Sequence, residues 1–211
     1  MKKFLMLLFV LGFALNVHGL LCLNDVSPTF PEGTNRALIE GGVVFGAIHF
    51  LNSKSYADLL LMEYEKSAHQ DFNYELAIDY IEKSIAELEI SKSNYLKAKE
   101  IGENVGYIQR ILICFKEYDY DKYIIENNLN REIAEIVKHY FKQSDILAVY
   151  QNNIDNINGI LNTLYYIRDN LKINKMPTIN SFWKLLEQYS YTTLFGNYAS
   201  RIGRDVISNC E

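Results

Sequence analysis

The sequence predicts an all-α fold: an elongated antiparallel helical bundle of five to six helices behind an N-terminal signal peptide. Three observations predict it. Only three prolines occur, Pro28, Pro31 and Pro177, so nothing interrupts a helix between Pro31 and Pro177. Apolar residues recur through that stretch at three- and four-residue steps, the period of a helix face. With 49% hydrophobic residues the chain can bury a real core, which excludes disorder.

The opening, "MKKFLMLLFVLGFALNVHG", reads as a secretory signal peptide over residues 1–19. Lys2 and Lys3 supply the positive start, Phe4 to Leu15 the apolar run, and Val17 and Gly19 the cleavage-site chemistry. The run is too short to span about 30 Å of hydrocarbon, so no stable membrane span is expected after cleavage. Lipid attachment at Cys22 is the alternative, disfavoured because Leu21 stands where a small residue is needed. Residues 20–35 read as an irregular lead-in with Thr34 or Asn35 as a helix cap, and residues 36–211 as a single helical-bundle domain.

The first helix is expected from Arg36 to Ala68, with a break near Asn52 and Ser53. Its half "GGVVFGAIHFL" is apolar on nearly every side, and Gly41, Gly42, Gly46 and Ala47 narrow it for close helix approach. The second helix runs from Asn73 to Gly102. Its seam reads Tyr74, Ile78, Ile81, Ile85 and Leu88, then Ser91, Tyr95, Ala98, Gly102 and Val105 after one short step. Residues 107–142 divide into two pieces at "FKEYDYDKY". Asn130 caps the second piece, whose apolar face is Ile133, Ile136, Val137, Tyr140 and Phe141. The next helix starts near Ser144 or Asp145 with a seam of Leu147, Tyr150, Ile154, Ile157, Leu161, Leu164, Arg168 and Leu171. Its asparagines, Asn152, Asn153, Asn156 and Asn162, read as a solvated face. After the connector "KINKMPTIN" the last helix runs from Ile179 to Ser208. Its bulky residues are Phe182, Trp183, Leu186, Tyr189, Leu194 and Phe195, and Gly196, Ala199, Ser200 and Gly203 form a small face. The first and last helices are expected to pack closely through their glycine-bearing faces. The runner-up architecture is a tetratricopeptide array, suggested by "YELAIDYIEKSIAEL", but no second copy follows at the 34-residue period.

Three cysteines follow the signal: Cys22, Cys114 and Cys210. Cys114 lies in the apolar run "ILICF" and reads as a buried free thiol. Cys22 and Cys210 stand at the two ends of the mature chain, and an end-to-end disulfide is the simplest use for both in an oxidising compartment. An intermolecular disulfide and two unpaired thiols are the competing readings.

Candidate chemistry is sparse. Glu65 with His69 and Glu135 with His139 each share a helix face, but helical phase turns both pairs toward solvent, so no metal site is expected. No catalytic constellation, phosphate loop or haem motif occurs, and no cofactor is expected. His49 lies in the apolar half of the first helix and Arg168 on an apolar seam; together they are the candidates for a buried polar site. A buried arginine must be paired; the preferred reading is that Arg168 snorkels outward near its helix end, and an anion site or buried pair within the bundle is the alternative. Tyr118, Tyr120 and Tyr123 are the candidate binding surface, since tyrosine combines an apolar body with a polar tip.

Removing Lys2 and Lys3 moves the formal charge from -5 to -7, which argues against nucleic acid as a partner. The reading is an exported protein of the periplasm or cell exterior that acts by binding another protein or an envelope component. A small-molecule or metal-binding bundle is the alternative.

Overall fold

A computed structural model describes residues 30–67, 71–103, 114–142 and 146–209. No strand occurs among them. The helices are α1 (Phe30–Lys66), α2 (Tyr74–Glu103), α3 (Tyr120–Glu126), α4 (Arg131–Lys142), α5 (Ile146–Lys172) and α6 (Ile179–Ser208). A further helical turn covers 114–117. The expected signal peptide and cleavage site, together with Cys22, Cys210 and His69, lie outside the described residues. No described helix is long and apolar enough to cross a membrane.

The chain packs as two compact units. One holds residues 45–94 and 154–192, the other 95–153 and 193–211 with the N-terminal residues through Val44. The first unit is an antiparallel four-helix bundle. Along α1 and α2 the partners run Gly46 with Ser91, His49 with Glu87, Ser53 with Ser84 and Glu63 with Asn73, one number falling as the other rises. The same opposition holds for α2 with α5, through Glu89–Tyr165 and Glu82–Lys172, and for α1 with α6, through Phe50–Tyr189 and Tyr64–Phe182. Only seven residues separate α1 from α2 and six separate α5 from α6, short connections that suit antiparallel neighbours.

Several expectations need correction. α1 begins at Phe30, so part of the lead-in is helical; Pro31 falls in the first turn, where its missing N–H has no helical partner to lose. No break occurs at Asn52 and Ser53. Both side chains reach across to α2, Asn52 to Glu87 at 3.2 Å and Ser53 to Ser84 at 2.8 Å. Gly46 is approached by α2, whose Ser91 hydroxyl donates to the Gly46 carbonyl at 2.7 Å. The fragment "YELAIDYIEKSIAEL" belongs to one uninterrupted 30-residue helix, which is not a helix–turn–helix repeat.

The seam of α2 also differs. Its buried residues are Ala77, Ile81, Ser84, Leu88, Ser91, Tyr95, Ala98 and Gly102, a four-three alternation with no irregular step. Ile78 and Ile85 sit beside the seam. On α5 the buried series is Leu164, Ile167 and Leu171, so Ile167 takes the place assigned to Arg168. Asn152 is only 7% exposed and Asn153 is buried too, which corrects the solvated-face reading at those two positions, while Asn162 is exposed as expected. On α6, Trp183 is 57% exposed and Leu194 is exposed, while Leu185, Thr192, Ile202 and Val206 are buried.

At the core of the four-helix unit, Tyr189 carries its hydroxyl into contact with Ser53 at 2.5 Å and Ser84 at 2.9 Å. Ser84 also reaches the Ser53 carbonyl at 3.1 Å. Three hydroxyl protons serve four contacts, so the triangle is shared rather than fully paired. Burial pushes the Tyr189 hydroxyl up to about 12, with the two serines pulling it back.

The α1–α2 turn is held by a buried carboxylate. Glu63 is nearly inaccessible, accepts from Lys66 at 2.6 Å and accepts the backbone N–H of Asn73 at 2.8 Å. Asn73 in turn caps α2, its side chain accepting from the Leu76 N–H at 3.0 Å. The Lys66 ammonium, then the Asn73 N–H, hold the Glu63 carboxyl below its ordinary range against the opposing effect of burial. A depressed carboxyl stabilises the fold above the unfolded value and loses that contribution as pH falls through the folded one. Glu63→Gln is therefore expected to flatten the fall in Tm between about pH 5 and pH 3. Thermal melts across that range, showing equal slopes for variant and wild type, would refute the assignment.

Candidate binding groove

The second unit carries an open groove of about 660 Å³. Its walls are the turn and short helix from Cys114 to Asn127 and the C-terminal end of α6. Local sequence explains how α3 presents a face to it. Asp119 caps the helix by accepting the Lys122 N–H at 3.1 Å. At 3.6 residues per turn Asp119, Lys122, Tyr123 and Glu126 then share one side, and all four line the groove. Tyr120 and Ile124 share another side and are buried.

This separates the three tyrosines grouped in the sequence. Tyr118 and Tyr123 line the groove, their ring centroids 6.3 Å apart. Tyr120 does not: its hydroxyl donates to the Phe115 carbonyl at 2.5 Å, and its ring packs on Phe141. Burial pushes the Tyr120 hydroxyl well above the ordinary phenol range. Tyr120 belongs to the core beneath the groove, with Phe115 and Phe141 at 4.7 Å.

α6 supplies the opposite wall through one stripe. Asp205, Val206 and Asn209 line the groove, and the Asp205 carboxylate accepts from Tyr118; further along the same stripe, outside the groove, the Arg201 carbonyl accepts from Tyr123 at 3.4 Å and the Tyr198 hydroxyl accepts the Asn130 N–H at 3.1 Å. Burial first, and the Asp205 carboxylate second, raise the Tyr118 hydroxyl far above its ordinary value, so it stays a proton donor. Tyr198, Arg201, Asp205 and Asn209 are spaced three and four apart, and that spacing was the one signal in the sequence that could have revealed them. The small residues named there point elsewhere: Ala199, Ser200 and Gly203 are buried.

Charge in the groove is lopsided. Among the described residues, Glu117, Asp119, Glu126 and Asp205 line it against one ammonium, that of Lys122, which sits 4.0 Å from Glu126. The arrangement offers carboxylates and tyrosine faces to a cation and repels an anion.

The remaining candidates fall elsewhere. His49 hydrogen-bonds Glu87 at 2.6 Å and is 26% exposed, so it is half-buried and paired on its own. Arg168 is 24% exposed, bonds Asp169 at 2.9 Å and lies over the Tyr165 ring at 4.9 Å. The two have separate partners on separate helices, and neither is deeply buried, which corrects the reading of either as a buried polar site. Arg168 reaches the rim because Ile167 holds the seam. Glu135 pairs with Lys138 at 3.2 Å, and Glu65 and His139 are exposed. No group of three or more metal-ligating side chains occurs among the described residues.

Cys114 corrects a further expectation, because it is disulfide-bonded rather than free. The chain has two other cysteines, so a bridge from Cys114 within the chain takes Cys22 or Cys210 and leaves no Cys22–Cys210 pair. Compared with protein-family models, curated proteins and solved structures, the chain matches none.

Proposed function

We propose that this is an exported helical-bundle protein that acts by binding, and that the groove beside α3 holds a basic segment of another protein or envelope component. The observation that carries the reading is the groove itself, whose walls set Tyr118 and Tyr123 among four carboxylates and one lysine. Its volume falls within the usual range for ligand sites. Tyrosine faces attract ammonium and guanidinium groups, and the carboxylates set the sign of the occupant. Export is supported by the charged and apolar opening of the chain and by the bonded state of Cys114, since disulfides persist in oxidising compartments.

A lysine-rich decapeptide titrated into isotope-labelled protein at low salt is the test. The expected result is resonance shifts confined to residues lining the groove, weaker at high salt, with no response to a glutamate-rich control. Tyr123→Ala and Glu126→Lys should each weaken binding by about fivefold or more. Shifts scattered over the bundle, or affinity unchanged in both variants, would sink the reading. Export is checked separately by N-terminal sequencing of the mature protein.

A further inference from the structure

We infer that the disulfide partner of Cys114 is Cys210, and that Cys22 is left as the one unpaired thiol. The inference does not depend on the binding reading.

Cys114 lines the groove with Asp205, Val206 and Asn209 of the α6 end. Four residues after Cys114, Tyr118 donates its hydroxyl to Asp205. The Cys114 turn and the last turn of α6 are therefore neighbours. Cys210 follows Asn209 directly, which fixes its Cα about 3.8 Å from that of Asn209. A disulfide needs Cα atoms roughly 4.4–6.8 Å apart, a separation that adjoining segments supply.

The chemistry balances as thiol–disulfide exchange. The Cys114 and Cys210 thiols lose two protons and two electrons and form one S–S bond. A disulfide-bearing oxidant of the export compartment accepts them, its own S–S bond breaking to two thiols.

Tryptic mapping of the full mature chain without reduction tests this. Cleavage after Arg110, Lys116 and Arg204 isolates "ILICFK" and "DVISNCE". The expected result is one species joining these two peptides, lost on reduction, with Cys22 the only cysteine alkylated beforehand. A link from "ILICFK" to the peptide bearing Cys22, or alkylation of both Cys114 and Cys210 in unreduced exported protein, would overturn it. Stability gives a second readout. Cys114→Ser and Cys210→Ser should each lower Tm by on the order of 10 °C, and the double variant by no more than either. Cys22→Ser should leave Tm in place, and an equal fall there would overturn the assignment.

Discussion

Tyr189→Ala is expected to lower the unfolding free energy by about 3–5 kcal/mol, a third or more of the total for a typical domain. The ring is almost wholly buried and packs 5.4 Å from Phe50, so truncation leaves a cavity that three long helices cannot readily close. Tyr189→Phe separates the ring from the hydroxyl. Ser53 and Ser84 keep each other at 2.8 Å, and the Ser53 carbonyl keeps Ser84, so neither serine is orphaned. The cost of Tyr189→Phe is then about 1 kcal/mol. Urea unfolding should show both falls as shifts in midpoint at constant slope. A phenylalanine variant as unstable as the alanine variant would mean that the hydroxyl, not the ring, dominates. A neutral phenylalanine variant would mean that the triangle contributes nothing.

The second large effect separates adjacent residues on α5. Ile167→Ala should cost about 2–5 kcal/mol, because Ile167 is fully buried between Leu164 and Leu171 on the seam. Arg168→Ala should cost less than about 1 kcal/mol. It removes an exposed ion pair with Asp169 and a partly solvated stack on Tyr165. Paired denaturation curves decide the matter. The opposite ranking would restore the arginine to the seam and disprove the register described here.

That register shows what could be read from the sequence and what could not. Helix type and most boundaries were legible, because they depend on local signals: Asn130 as a cap, Asn73 as the start of the second helix, the scarcity of proline, and the Ile179–Ser208 span. Phase was harder. On α2 the eye follows bulk to Ile78 and Ile85, but the helix turns Ala77 and Ser84 inward. A small side chain gives no hydrophobic signal when a close neighbour is the reason for its size. Asn52 and Ser53 misled for a related reason: polarity inside an apolar run looks like a break when its partner, Glu87 or Ser84, is distant in sequence. The groove was half legible. "YDYDKY" flagged tyrosines at the right place, yet only the phase of a seven-residue helix divides Tyr123 from Tyr120. The α6 stripe facing them carries no motif at all. The cysteines could not be paired from spacing, since three of them allow more than one bridge.

The inward column Ala77, Ser84 and Ser91 of α2 repeats every seven residues and is small throughout. A track so smooth offers little steric resistance to a neighbour sliding along the helix axis. Axial alignment of α1 and α2 is instead keyed by polar latches at discrete heights: Ser91 on the Gly46 carbonyl, Ser84 on Ser53, and Glu63 on the Asn73 N–H. Each latch engages at one offset only, and a slip of a single turn would leave a buried hydroxyl or carboxylate facing hydrocarbon. Polar groups in this bundle thus act as a vernier, selecting one alignment among several that the apolar surface alone would accept.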